Sequence, residues 1–196
     1  MLVKDVMTGD PITVTPDTGV KDARTQLAYV GITSMPVVDD QRRLCGVVSE
    51  ADLIRDVVAD DPRAHERPIT IRPVVAARTV EDVYSRPPVT VRPLDDVTAA
   101  VELMAARGFK SLPVVDDQHR LVGVVSRSDV VRALARDDES IARDISRFFN
   151  ELGHVDWHVE VVDGAADITG PVDVPQRSLA HTVARTVPGV VEVRVR

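Results

Sequence analysis

Aromatic side chains are scarce in this chain of 196 residues: one Trp, two Tyr and three Phe make up 3% of it. Any core must therefore be built mainly from Val, Leu, Ile and Ala. Hydrophobic residues still reach 44%, too many for a disordered chain. One cysteine, Cys45, excludes an internal disulfide and fits a reducing compartment. Within Leu44-Cys45-Gly46 it reads as a small packed hydrophobe rather than a nucleophile. No run approaches the ~18 apolar residues of a membrane span, and no cationic start leads into an apolar stretch. A cytoplasmic location is expected. Lysine occurs only as Lys4, Lys21 and Lys110, so 21 of the 24 basic residues are Arg, a bias expected of GC-rich coding DNA in a bacterium. Positive charge is never concentrated. The net charge is −7, and residues 137–196 carry six Arg against eleven Asp and Glu. Nucleic-acid binding lacks its basic patch, and an anionic membrane would repel the tail.

What the chain does have is a segment written twice. Residues 3–56 and 80–133 align without a gap at an offset of 77, and close to half of the paired positions are identical. Ser34-Met35-Pro36-Val37-Val38-Asp39-Asp40-Gln41 returns as Ser111-Leu112-Pro113-Val114-Val115-Asp116-Asp117-Gln118. Leu44-Cys45-Gly46-Val47-Val48-Ser49 returns as Leu121-Val122-Gly123-Val124-Val125-Ser126. Two copies predict a pseudo-twofold axis with equivalent pockets at their interface.

Each copy opens on a short strand signal, Ile12-Thr13-Val14 or Val89-Thr90-Val91. Thr18 and Asp95 are helix N-cap candidates. Apolar stripes follow at Val20, Ala23, Leu27 and Val30, and at Val97, Ala100, Val101 and Met104. Gly31 and Gly108 stop these helices. A strand pair joined by Asp-Asp-Gln comes next, and Ser49 or Ser126 starts a second helix. The fold class is therefore α+β: two pseudo-twofold-related β-α-β-β-α repeats over 1–58 and 80–136, joined by a connector over 59–79. Asp60-Asp61-Pro62 and Arg67-Pro68 break that connector into partial helix and loop. Residues 137–196 form a small α-β-β-α-β C-terminal domain. In it Ile141, Ile145 and Phe148 share a helix face, Asp163-Gly164 turns a hairpin, and Leu179, Val183 and Val187 line the last helix.

The sharpest chemical signal is Gly46-Val47-Val48-Ser49-Glu50-Ala51-Asp52, matched by Gly123-Val124-Val125-Ser126-Arg127-Ser128-Asp129. Ser-x-x-Asp at a strand-to-helix junction can be a capping motif and nothing more. The same geometry can also hold a nucleotide. A helix N-terminus offers N–H groups to phosphate, the Asp one turn on can accept both ribose hydroxyls, and the glycine strand lets a flat base lie close to the backbone.

The doubled Gly-x-x-Ser-x-Pro-Val-Val-Asp…Gly-Val-Val-Ser-x-x-Asp pattern over residues 3–133 resembles a tandem pair of CBS domains, a Bateman module. The tail, through Val-Asp-Gly164, Ile-Thr-Gly170 and Val-Pro-Gly189-Val-Val-Glu-Val, resembles a BON domain. The resemblance implies a non-catalytic regulatory sensor, dimeric through its CBS modules. It would bind AMP, ADP, ATP or S-adenosylmethionine in clefts between the repeats. Asp52 and Asp129 would hold ribose hydroxyls, with Ser49 and Ser126 near phosphate or ribose and Ser128 in the same motif. Val6, Ile12, Val83 and Val89 would border the base, and Thr33, Ser34, Lys110 and Ser111 would face the clefts.

The copies differ where charge matters. Arg127 and Lys110 in the second copy stand where the first has Glu50 and Thr33. The Asp129 site is thus expected to be the better phosphonucleotide pocket, and the Asp52 site empty or suited to a less anionic adenosyl ligand. Arg127 facing solvent is the alternative. Asp39-Asp40 and Asp116-Asp117 read as turn residues rather than metal ligands, and His154-x-x-x-His158 spans a loop-to-strand junction rather than a helix, so no metal is expected. No catalytic constellation stands out. The competing function is structural or surface association through the BON-like tail, on lipid or a protein partner, with the CBS pair as a dimerisation scaffold.

Overall fold

A computed structural model describes residues 1–55 and 77–196; the expected breaks at Asp60-Asp61-Pro62 and Arg67-Pro68 lie outside them. In the first repeat a 3-10 turn over Val3–Asp5 precedes β1 (Thr8–Gly9), α1 (Val20–Val30), β2 (Ser34–Val38), β3 (Leu44–Ser49) and α2 (Glu50–Ile54). In the second, a 3-10 turn over Val80–Asp82 precedes α3 (Val97–Arg107), β4 (Ser111–Val115), β5 (Leu121–Ser126) and α4 (Arg127–Leu134). The tail follows as α5 (Asp138–Glu151), β6 (His158–Val162), β7 (Ala165–Thr169), α6 (Val174–Thr186) and β8 (Glu192–Val195). β2 and β3 pair antiparallel, and a second sheet has the order β1-β5-β4.

The described chain divides into two compact units that cut across the repeats. One comprises residues 9–90 and 113–124, the other residues 1–8, 91–112 and 125–196. In the first, the leading segment of the second repeat is docked on the first repeat. Val80 N–H donates to the Thr18 carbonyl (2.9 Å), Glu81 N–H to that of Pro16 (2.8 Å), and Ser85 and Val47 exchange backbone bonds at 2.9 and 3.2 Å. In the other, the N-terminal residues dock on the second repeat: Val3 N–H donates to the Asp95 carbonyl (2.9 Å) and Val97 N–H to that of Met1 (3.1 Å). The leading segments are thus exchanged between the copies.

Several local expectations shift by a residue or more. The strands expected at Ile12–Val14 and Val89–Val91 shrink to isolated bridges, such as Val14 with Val37. Pro11 and Pro16, like Pro88 and Pro93, flank these short segments and supply no N–H with which a ladder could be extended. The N-caps are Gly19 and Asp96 rather than Thr18 and Asp95. Thr18 Oγ1 accepts from Thr15 N–H (3.0 Å) and an Asp95 carboxyl oxygen from Arg92 N–H (2.7 Å), so both close the turn before the helix. Val30 and Val101 are exposed, while the rest of each stripe is buried.

The core of the first unit joins Val20, Ala23 and Leu27 of α1 to Met35 and Val37 of β2, Val48, Leu53 and the docked Val80. Gly46 lies against that docked segment. A Cβ there would sit 2.5 Å from the Ser85 carbonyl oxygen and inside contact distance of the Tyr84 ring. The glycine therefore makes room for Tyr84, which corrects the expectation that it leaves space for a base.

The tail has its own core. α5 contributes Ile141, Ile145 and Phe149, at strict i, i+4 spacing, with Phe149 in the place expected of Phe148. α6 buries Ala180 and Ala184, its C-cap Val187 is buried as well, and Leu179 is exposed. Small residues let α6 approach the sheet β6-β7-β8, in which β7 and β8 run parallel. Asp163 and Gly164, at φ +50° and +75°, form the hairpin turn. Asp138 at the start of α5 accepts from both of their N–H groups, at 2.8 and 2.9 Å. Just beyond α4 and its C-cap Ala135, Arg136 donates to the Pro188 carbonyl (3.1 Å) and to Asp144 (2.5 Å). This ties the tail's last turn to the helix that begins with Ser126-x-x-Asp129.

The two hairpin tips use one chemistry. Asp39 accepts from the N–H groups of Gln41 (2.9 Å) and Arg43 (2.8 Å) and from Arg43 Nε (2.8 Å). Asp116 repeats this with Gln118, Arg120 and Arg120 Nε at 2.9, 2.9 and 2.8 Å. These bonds, led by the Arg43 and Arg120 backbone N–H groups, hold both carboxyls below the usual range. The Ser140 N–H does the same for the Asp137 cap of α5. A carboxyl with a lowered folded-state pKa adds stability above its unfolded value, about pH 4, and loses it as pH falls through the folded value. Stability is therefore expected to drop below about pH 4, with the drop shallower in the Asp39→Asn/Asp116→Asn double variant. Denaturant unfolding at stepped pH checks this; an unchanged acid limb in the double variant contradicts it.

Candidate functional site

Burial sets two charged residues apart. Among the described residues the buried polar or charged side chains are Asp52 and Asp129, 9% and 7% exposed. They occupy the same place in the two repeats, three residues after a strand-ending serine. A buried carboxylate is costly unless hydrogen bonded. Each is held by its serine in a capping box: the Ser49 backbone N–H donates to Asp52 Oδ2 at 2.9 Å and the Ser49 hydroxyl to the same oxygen at 2.6 Å. Ser126 does this for Asp129 Oδ2 at 2.8 and 2.6 Å. In return the Ser oxygens accept from the Asp52 and Asp129 N–H groups at 3.3 and 3.2 Å.

The capping and binding readings of Ser-x-x-Asp thus describe different atoms. Capping consumes Oδ2, which accepts two hydrogen bonds and has two lone pairs. Oδ1 remains to act on something else. Its partner among the described residues is one that the sequence reading missed, the arginine one turn on. Arg132 Nη1 lies 3.1 Å from Asp129 Oδ1, a hydrogen-bonded ion pair. Arg55 Nη2 lies 3.7 Å from Asp52 Oδ1, beyond hydrogen-bond length. Arg55 and Arg132 align at the repeat offset, and i,i+3 spacing to Asp on a helix was the signal available.

Around each carboxylate the repeats agree. The Thr33 carbonyl accepts from Glu50 N–H, and the Lys110 carbonyl from Arg127 N–H, both at 3.0 Å. Ser34 opens β2 opposite Ser49, and Ser111 opens β4. The base-lining candidates separate. Ile12, Val83 and Val89 belong to the unit of Asp52, whereas Val6, only six residues before Ile12, belongs to that of Asp129. Arg127 and Ser128 are exposed on the first turn of α4. The Arg127 guanidinium donates to the Met104 carbonyl of α3 at 3.3 Å, so it is anchored rather than pointing freely into solvent.

Burial raises the Cys45 thiol above its ordinary value, which disfavours the thiolate. His154 stacks on Trp157, centroids 3.9 Å apart, and His158 Nδ1 lies 2.9 Å from the Asp156 carbonyl. Among the described residues no three His, Cys, Asp or Glu side chains converge as a metal site, and no helix is long and apolar enough to cross a membrane.

Comparison with known proteins puts this geometry in a family. An uncharacterized protein of Methanopyrus kandleri is 30% identical over 165 residues, which cover 84% of this chain and 76% of that one. The structure of CBSX2, a protein of Arabidopsis thaliana, in complex with AMP is 30% identical, with a TM-score of 0.55, over 67% of this chain and 94% of that one. The CBS domain pair of another protein, solved with 5′-methylthioadenosine and S-adenosyl-L-methionine, is 25% identical, with a TM-score of 0.56, over 67% and 94%. The model of the CBS domain matches residues 3–59 and again residues 80–136, each ending just beyond a buried Asp, and the chain belongs to the CBS domain family as a tandem pair.

Proposed function

We propose that this chain is a non-catalytic regulatory protein that senses an adenosine-containing ligand. One observation carries the reading: each repeat buries a carboxylate whose Oδ2 is consumed by a capping box while its Oδ1 keeps acceptor capacity. Two ribose hydroxyls are suitable donors for such an oxygen. The adenosyl ligands of the two similar CBS pairs support that choice. Asp52 and Asp129 hold ribose, Ile12, Val83 and Val89 line the base near Asp52, and Val6 does so near Asp129. Lys110 and Arg127 make the Asp129 site the more anion-tolerant of the two. Micromolar affinity requires about 8 kcal/mol, within reach of a few charge-assisted hydrogen bonds at about 1.5–3 kcal/mol each plus the buried base. The Arg136 bonds to Pro188 and Asp144 support a tail that responds to occupancy of the α4 site.

The test is calorimetry of nucleotide-free protein with AMP, adenosine and S-adenosylmethionine. Asp→Asn is the informative substitution. The serine donors hold the amide oxygen at the Oδ2 position, so the NH2 group replaces the open acceptor with a donor. Asp129→Asn and Asp52→Asn are each expected to weaken one site by at least about tenfold while leaving the capping box in place. Absence of heat with every ligand in wild-type protein sinks the proposal.

A further inference from the structure

The two carboxylates differ in their unused capacity, and the difference comes from their arginines. Asp129 Oδ2 accepts from the Ser126 N–H and hydroxyl, and Oδ1 accepts from Arg132 Nη1 at 3.1 Å. A carboxylate has about four lone-pair sites, so Asp129 retains one. Asp52 Oδ2 is filled by Ser49 in the same way, but Arg55 stands 3.7 Å from Oδ1. Among the described residues, Asp52 therefore keeps two. A ribose 2′,3′-diol donates two hydrogen bonds.

Resting on the ribose reading above, we propose that Arg132 gates the Asp129 site. Its guanidinium must leave Oδ1 before that carboxylate can hold both hydroxyls of a ribose, whereas Asp52 takes the same diol with its arginine in place. The Arg132 side chain is 75% exposed, free to swing without disturbing the core. Its departure strips the buried carboxylate of its counter-charge and leaves the guanidinium without an anion. A ligand carrying phosphate offers that cation a new charge-assisted partner. A neutral nucleoside does not. The gate therefore biases the Asp129 site toward phosphorylated nucleosides through a residue outside the Ser-x-x-Asp motif.

Adenosine and AMP are the probes, titrated calorimetrically into full-length protein carrying Asp52→Asn, which weakens the other site so that the Asp129 site is read as the tighter binding step. Adding Arg132→Ala is expected to tighten adenosine about tenfold, the worth of one recovered hydrogen bond, and to narrow the AMP-over-adenosine preference by a similar factor. Arg132→Gln, which keeps a polar side chain but not its charge, should move in the same direction. In the reciprocal Asp129→Asn background, Arg55→Ala should change adenosine affinity by less than about twofold. Unchanged or weaker adenosine binding in Arg132→Ala overturns the gate while the ribose reading stands. Wild-type protein that binds neither adenosine nor AMP overturns both.

Discussion

Phe149→Ala is expected to cost the tail about 3–5 kcal/mol, the range for emptying a fully buried aromatic site. Phe149 is fully buried in one cluster with Ile141, Ile145, Trp157, Ala166, Ile168, Ala180 and Ala184, edge-on to Trp157 with centroids 4.9 Å apart. The cost belongs at the upper end because the neighbours cannot refill the space. Three are alanines with no side-chain torsion to turn, and the chain is poor in aromatics that could replace the ring. Trp157 is the only tryptophan, so its fluorescence follows this core during denaturant unfolding. Phe148, adjacent but 36% exposed, is the control; Phe148→Ala should cost under about 1 kcal/mol. Equal losses for the two variants would contradict the packing described.

Gly46→Ala should destabilise the first unit by about 3 kcal/mol, at the high end for overpacking. One methyl group would meet the Ser85 carbonyl oxygen at 2.5 Å and the Tyr84 ring. The carbonyl is backbone and is held by the two bonds between Ser85 and Val47. Relief therefore means shifting the docked segment of the second repeat. Gly9 provides the comparison: a Cβ there meets nothing within 4 Å, and Gly9→Ala is expected to change stability by under about 0.5 kcal/mol. Thermal unfolding followed by circular dichroism measures both. A benign Gly46→Ala would mean that the leading segment is not anchored against β3.

Local chemistry was legible in the chain. The ends of α1 and α3 follow from Gly31 and Gly108, which adopt φ +73° and +70°. The Asp163-Gly164 turn and the Asp39 and Asp116 hairpin tips follow from residues within four positions of one another. Errors arose where periodicity left a choice. Phe148 and Phe149 both fit a helix stripe, and only the neighbouring helix and sheet select between them. Thr18 and Asp95 are good caps by type, but the preceding turns claim their side chains.

The sequence by itself determined the duplication, the αβ pattern of each copy and the pair of Ser-x-x-Asp motifs, because each is written in residues close along the chain. Tertiary structure decided which copy each leading segment covers. With two copies this alike, Val3–Val6 has nearly equivalent surfaces to choose from, and residue types alone do not separate docking at home from docking on the other repeat. Tertiary structure also decided what each buried Asp has left to offer. Ser49 and Ser126 impose one geometry on both carboxylates, and a difference of 0.6 Å between the Arg55 and Arg132 ion pairs, 3.7 against 3.1 Å, separates an open oxygen from an occupied one.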